Sequence, residues 1–394
     1  MSEELTFDFL TTPQIVFGKG RFQEIGELLD TYGKKVLVVC SESAFSQIQE
    51  QIEKITANRK ISYEVFIIKG EPDIHQIDKG VEQGIKQKAN VVLGVGGGSA
   101  VDAGKAIAGL ITNGGLAKDY MEVIGKGSLI TKPPLPYIAI PTTAGTGSEV
   151  TKNAVILSKE DGLKASIRSP LLIPKVALVD PELMIKVSPE VTAYCGLDAL
   201  TQLIESYTSV KSQPITDSLA ILGIRRITKS LIYVYENGHD VSAREDMAFA
   251  ALLSGICLAN AGLGVVHGFA SPIGGLVGIP HGVVCGALLS FVVEENIKQM
   301  ITEIPFNETL AKYATLGELL ANIIFDDIRE AADRVIEYTE QISRLLKIPK
   351  LSKYGLSEKY FEEIIEKAKK TSSMRYNPVK LSDEALYRIL LKSM

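Results

Sequence analysis

Short runs rich in β-branched residues recur along the first part of the chain, at Gln14–Phe17, Lys35–Cys40, Ser62–Ile67, Asn90–Val95, Tyr137–Ile140, Ala154–Leu157 and Val176–Val179. Amphipathic segments such as Phe22–Thr31 and His75–Lys88 lie between several of them. Strands that alternate with helices pair in parallel, so this region predicts a parallel sheet covered by helices. From about Pro181 the β-rich runs cease. Long helical stretches follow at Val191–Val210, Ile215–Asn237, Ala243–Val266, Val283–Met300 and Asp326–Leu346. Helical periodicity then continues to Met394, interrupted near Pro349 and at Asn377–Pro378. The expectation is an α/β domain over residues 1–180 and an all-α domain over residues 181–394, divided at Asp180–Pro181.

Composition narrows the partners. A chain of 394 residues is longer than one hydrophobic core supports, and 46% hydrophobic with 23% charged residues is ordinary for a globular protein. The formal net charge is -5 and no Lys/Arg run is dense, which argues against a nucleic-acid partner. Cys40, Cys195, Cys257 and Cys285 stand in apolar surroundings without paired spacing, and read as reduced thiols that pack in the interior. The start of the chain, Met1 to Asp8, is acidic and has no apolar centre of the kind a signal peptide needs. The most apolar stretch, Phe249–Val266, carries Asn260 and three glycines and reads as a buried helix, not a membrane span. Asn307-Glu308-Thr309 matches a glycosylation pattern, read here as coincidence. A cytoplasmic protein with no membrane partner is expected.

The segment from Val91 to Lys105 reads as a strand, a glycine turn (Gly96-Gly97-Gly98-Ser99) and the start of a helix. Glycines there allow a phosphate to approach the backbone, and the free N–H groups of a helix start favour its charge. The segment is neither of the familiar nucleotide motifs. Ala106 follows Gly104-Lys105, and Ser99 stands where either pattern needs glycine. Ser99, Asp102 and Lys105 at turn spacing favour an anion site over a plain turn. A second small-residue run, Pro141 to Val150, mixes hydroxyls (Thr142, Thr143, Thr146, Ser148) with glycines. It reads either as a loop lining a polar ligand or as a tight connector.

The second half carries a candidate metal constellation. Asp198 and Gln202 are four apart in an apolar run, so both leave one face of a helix. Two of the four histidines, His267 and His281, stand beside glycines in a nearly uncharged region. One carboxylate and two imidazoles form the set that holds Fe(II), with Zn(II) also suited. Gln202 is the fourth candidate and a weaker, neutral donor. Glu205 lies two turns beyond Asp198, either as a partner to a ligand or as an ordinary buried carboxylate. Cys195 and Cys285 flank these residues, and helical packing is the preferred reading over thiolate ligation. His75 and His239 lie in polar segments and receive no role.

Together these motifs resemble the iron-containing alcohol dehydrogenase family over nearly the whole chain. Phe17-Gly18-x-Gly20 is similar to the family's opening, Gly96-Gly97-Gly98-Ser99-x-x-Asp102-x-x-Lys105 to its pyrophosphate loop, and Pro141–Thr151 to its nicotinamide-side loop. Gly196-x-Asp198-Ala-x-x-Gln202 and the two His-Gly pairs occupy its metal positions. The resemblance implies a Rossmann-like dinucleotide-binding domain followed by a helical metal domain. It implies reversible NAD(P)-linked oxidation of a small alcohol to an aldehyde, with a divalent metal polarising the substrate oxygen. Asp198, His267 and His281 would be the catalytic core, with Gln202 completing the metal set. Ser41, Gly96, Gly97, Gly98, Ser99, Asp102, Thr142, Thr143, Thr146, Ser148, Lys164 and Leu183 would bind the cofactor, with Lys164 either near its ribose or a solvated loop lysine, and Leu178–Pro181 at the edge of the adenine pocket unless Asp180 simply caps the next helix. A homo-oligomer, dimeric or larger, is also implied.

Three departures qualify this expectation. Gln202 stands where the family usually has histidine. Ser271 stands where many members carry a second histidine, four after His267, suspected of relaying protons. Ser41, followed by Glu42 and Ser43, replaces an aspartate that accepts from the adenosine ribose, which tips the preference toward NADP. Two other readings compete. The losses at 202 and 271 suggest a metal-free or non-catalytic nucleotide-binding protein. A lyase like dehydroquinate synthase shares the architecture, but Asp198 and Gln202 on one helix do not supply the basic cluster its phosphorylated substrate needs.

Overall fold

The computed structural model describes residues 6–303 and 308–394. Asn307 of the glycosylation pattern and the first five residues of the acidic N-terminal stretch lie outside the described residues. The chain divides into two compact units, one formed by Thr11–Ser188 with Asn237–Ala248, the other by Pro189–Glu236 and Phe249–Met394 with the N-terminal residues up to Leu10.

The first unit alternates β1 (Gln14–Phe17), α1 (Ile25–Tyr32), β2 (Lys35–Cys40), α2 (Glu42–Arg59), β3 (Ser62–Ile67), α3 (Ile74–Lys86), β4 (Val91–Gly96), α4 (Gly98–Asn113), α5 (Ala117–Tyr120) and β5 (Tyr137–Pro141). It continues with β6 (Asn153–Ser158), β7 (Leu163–Arg168) and β8 (Val176–Val179). Six strands form a parallel sheet in the order β1-β8-β5-β4-β2-β3. Side chains alternate between two cores, as the period of a strand requires. Leu37, Val39 and Val92 pack with Ile77, Ile107 and Leu110 of α3 and α4 on one face. Val36, Val38, Leu93 and Val95 pack with Leu29 and Ile48 of α1 and α2 on the other. Each such side chain contributes about 1.5–3 kcal/mol by leaving water.

The strand order changes direction between β2 and β4, since β3 lies outside β2 on one side and β4 on the other. Cys40 pairs in register with Val95, so the chain leaves both strands side by side at their C-terminal ends. In open α/β sheets that is where a ligand crevice forms.

One strand expected in the parallel sheet belongs elsewhere. Ala154–Leu157 lies within β6, which pairs antiparallel with β7 as a separate ribbon. A tight turn through Asp161-Gly162, with Gly162 at φ 57, returns the chain before any helix can intervene. β7 escaped the sequence reading because its sequence, LKASIR, is short and interrupted by charge.

The second unit is helical: α6 (Pro189–Thr208), α7 (Pro214–Glu236), α8 (Val241–Ala261, its residues up to Ala248 counted with the first unit), α9 (Val265–Val277), α10 (His281–Glu303), α11 (Glu308–Ala321), α12 (Ile328–Leu345), α13 (Phe361–Lys369) and α14 (Asp383–Lys392). The stretch expected as one helix from Ala243 to Val266 is two, bent by 100°. Gly262 ends α8 in the left-handed region at φ 73, its N–H bonded to the Leu258 carbonyl at 3.1 Å, a conformation other residues adopt at a cost. The bend starts α9 two residues before His267. Among the described residues no single helix is long and apolar enough to cross a membrane.

Candidate metal centre and nucleotide cradle

Asp198, Gln202 and Glu205 share one face of α6 at the spacing i, i+4, i+7, and all three are buried. His267 lies in the first turn of α9, His281 is the first residue of α10, and Cys285 follows it by one turn. Gly282 lets α10 come in against α6, because a Cβ there would lie 2.3 Å from the Tyr194 carbonyl oxygen. A larger residue would push His281 and Cys285 away from Asp198.

Asp198 Oδ1 is the hub. His267 Nε2 lies 3.2 Å from it, His281 Nε2 3.4 Å and Cys285 Sγ 3.5 Å. Cys285 Sγ and His267 Nε2 are 3.8 Å apart, and the four ligand atoms all lie within 4.8 Å of one another. Metal–nitrogen bonds of roughly 2.0–2.1 Å give a tetrahedron edges of roughly 3.4 Å, and a thiolate edge is somewhat longer. The spacing and the donor types therefore fit a divalent cation.

Outside the cluster, Glu205 accepts the Nδ1–H of His267 at 2.6 Å and the Val266 N–H at 2.7 Å. That bond fixes the imidazole tautomer, leaving the Nε2 lone pair to face Asp198. The electrostatics point the same way. Burial would raise the Asp198 carboxyl, but His281 and His267 hold it well below the usual carboxylate range. Burial would lower His267, but Cys285, Asp198 and Glu205 push it well above its ordinary value. His281 moves in the same direction, burial opposing the rise and Cys285 and Asp198 driving it. The cluster demands positive charge beside Asp198, which ring protons or a metal cation can supply.

Gln202 joins the cluster differently from the expectation. Its Nε2 donates to Asp198 Oδ1 at 3.3 Å, and its Oε1 accepts from the Ser254 hydroxyl at 2.9 Å. The Ala251 carbonyl, 2.8 Å from Ser254 Oγ, is that hydroxyl's alternative acceptor. The amide thus turns hydrogens toward Asp198 and its lone pairs toward Ser254. Ser271 stands one turn beyond His267 on α9, half-buried. Cys285, read as packing, faces Asp198 and His267. Its i, i+4 spacing from His281 on one helix face was the available signal. Ser254 carried no signal at all.

In the first unit, Gly97 caps α4 without a side chain, leaving the N-terminus of a sixteen-residue helix open to an anion. Gly96 sits at φ 147, and a Cβ on it would crowd Ala100. A Cβ on Gly98 would lie 2.8 Å from Thr146 Oγ1, and one on Gly97 3.4 Å from Thr143 Oγ1. The fold therefore brings Gly96, Gly97 and Gly98 together with Thr143 and Thr146, and the Thr142 N–H bonds the Gly96 carbonyl at 2.8 Å. Ser41 follows β2 nearby, 3.6 Å from that same Gly96 position, and its Oγ caps α2 by accepting the Ala44 N–H.

Other expected residues are engaged inside the unit. Asp102 accepts from the Ser148 hydroxyl and from the Val155 N–H, the latter at 3.0 Å. Lys105, expected to complete the anion turn, is fully buried instead. Its Nζ donates to Ser148 O at 2.8 Å, Thr151 Oγ1 at 2.9 Å and Asn153 O at 2.7 Å, and pairs with Asp102 at 3.5 Å. An ammonium so enclosed ties the 141–153 segment to α4 and cannot reach a phosphate. Lys164 pairs with Glu71 at 2.8 Å, and Ser99 Oγ lies 3.5 Å from the same carboxylate. Leu183 is buried in the core beside α1 and α2, its carbonyl accepting from Gln47. Asp180 caps the turn that follows it and also accepts the N–H groups of Gly20 and Phe22, anchoring the opening glycine motif.

Comparison with known proteins agrees along the chain. Residues 12–181 match the iron-containing alcohol dehydrogenase family, and residues 192–394 match the C-terminal region of the same family. Alcohol dehydrogenase 4 of Saccharomyces cerevisiae is 34% identical over 389 residues, covering 98% of each chain. The crystal structure of a 1,3-propanediol oxidoreductase superposes with a TM-score of 0.91 at 31% identity, over 99% of this chain and all of the other. A sulfoacetaldehyde reductase from Bifidobacterium kashiwanohense, solved in complex with NAD+, superposes with a TM-score of 0.84 at 28% identity over 98% of both.

Proposed function

On the premise that the chain belongs to the iron-containing alcohol dehydrogenase family, we propose that it interconverts a small alcohol and its aldehyde with NAD(P) and one divalent metal, Fe(II) or Zn(II). Residues 1–180 would bind the dinucleotide, and residues 181–394 the metal and substrate. The observation that carries the reading is the convergence of His267 Nε2 and His281 Nε2 on Asp198 Oδ1 at 3.2 and 3.4 Å in a buried helical core.

Asp198, His267 and His281 hold the cation, and Glu205 orients His267 for it. Bound there, a divalent metal supplies Lewis acidity toward the substrate oxygen, and the nicotinamide supplies the hydride acceptor. Ser271 offers a hydroxyl one turn from His267 for the proton that leaves the alcohol. Gly96, Gly97, Gly98 and Ser99, with the first N–H groups of α4, receive the pyrophosphate. Thr142, Thr143, Thr146 and Ser148 line the nicotinamide side, while Asp102 fixes Ser148 in place. Ser41, Lys164 and Leu183 bound the adenosine end.

A neutral hydroxyl at Ser41, with Glu42 exposed, favours NADP over NAD because a carboxylate there would repel the 2′-phosphate. The assembly is read as a cytoplasmic homo-oligomer of two or more chains. The test is aldehyde-dependent loss of NADPH and NADH, with the protein stripped of metal and then supplied with Fe(II) or Zn(II). Turnover that requires metal is expected. No turnover across a broad panel of alcohols and aldehydes, with metal bound, would overturn the reading.

A further inference from the structure

We propose that Cys285, as the thiolate, is the fourth protein ligand of the metal and that Gln202 is not a ligand. The inference rests on the metal reading above and adds a donor that neither the spacing nor the resemblance assigned. Cys285 Sγ lies 3.5 Å from Asp198 Oδ1 and 3.8 Å from His267 Nε2, edges of the length a shared cation requires. Gln202 meanwhile turns amide hydrogens toward Asp198, with its carbonyl oxygen held by Ser254 on the far side.

The other interior thiols behave differently. Cys257 Sγ donates to the Thr216 carbonyl at 3.4 Å, and Cys40 is packed in the sheet core. Cys285 faces ligand atoms because α10 lies against α6 at Gly282.

Exchanging a hard amide oxygen for a soft thiolate moves the preference from Fe(II) toward Zn(II).

Cobalt is the probe. Metal-free protein loaded with Co(II) should hold about one ion per chain and show a thiolate-to-cobalt charge-transfer absorption in the near ultraviolet. That absorption should vanish in Cys285→Ser and persist in Gln202→Ala. X-ray absorption of the Zn(II)-loaded wild type, which requires no variant, should show one sulfur at about 2.3 Å among nitrogen and oxygen donors. Cobalt bound without the absorption, a zinc shell without sulfur, or an absorption unchanged in Cys285→Ser would each overturn the thiolate and leave the metal reading standing. Loss of metal in Gln202→Ala with Cys285 intact would return the fourth position to Gln202. No metal bound by the wild type would overturn both readings.

Discussion

Each unit buries a cluster of charged and hydroxylic side chains, and the two clusters end in opposite states. In the first unit Lys105 meets two carbonyls, a threonine hydroxyl and Asp102, while Asp102 takes a hydroxyl and a backbone N–H. Proton donors meet acceptors and the cluster closes on itself. In the helical unit Asp198 faces two imidazoles, a thiol and an amide, and three of these present atoms that become lone-pair donors once deprotonated. Buried charge is common to both. What separates a brace from a metal centre is whether the convergent atoms satisfy one another or together require a cation.

Breaking the open cluster should have the largest effect. His267→Ala should lose metal outright, measured by elemental analysis, and turnover with it. NADPH affinity should stay within about twofold, because the cradle is built from residues of the other unit. A variant that kept one metal per chain would place the site elsewhere.

Breaking the closed cluster should instead cost stability. Lys105→Met removes the cation and strands Asp102 and its carbonyl partners, for a loss of about 3–5 kcal/mol in denaturant unfolding. A loss below about 1 kcal/mol would mean that Lys105 does not brace the segment.

Glu149 sharpens the same contrast through pH. Burial pushes its carboxyl up to about 7, with Asp102 adding to the rise and Lys105 opposing it. The folded chain then keeps a proton that the unfolded chain releases, so stability falls as pH rises from about 4.5 to about 7 and levels off above. Glu149→Gln should flatten that slope and stabilise the protein at pH about 8 by up to roughly 3 kcal/mol. Unfolding curves at the two ends of the window decide it, and a slope equal to wild type would assign it to another group. The smallest change is Ser254→Ala, which removes the anchor of the Gln202 amide. It should cost about 1 kcal/mol and leave metal content unchanged.

Much of this was legible because it is local. Asp198 and Gln202 share a helix face by spacing alone, the Gly96–Ser99 turn follows a strand and opens a helix, and the loss of β-rich runs after Pro181 marks where helices take over. The β6–β7 ribbon and the bend at Gly262 were missed for a physical reason. Each depends on one glycine in the left-handed region, which periodicity does not register. Lys105 was misplaced toward ligand because side-chain burial is a property of packing, not of position along a helix.

The sequence by itself determined the strand–helix alternation, the glycine turn that opens a helix after β4 and the pair Asp198–Gln202, since each depends only on local signals and the period of a helix or strand. Only the tertiary structure decided what those side chains face. It turned the Gln202 carbonyl to Ser254, placed Glu205 behind His267 and set Cys285 against Asp198. These outcomes depend on how closely α6, α9 and α10 approach, and that distance is fixed by residues far apart in the chain, such as Gly282 against Tyr194.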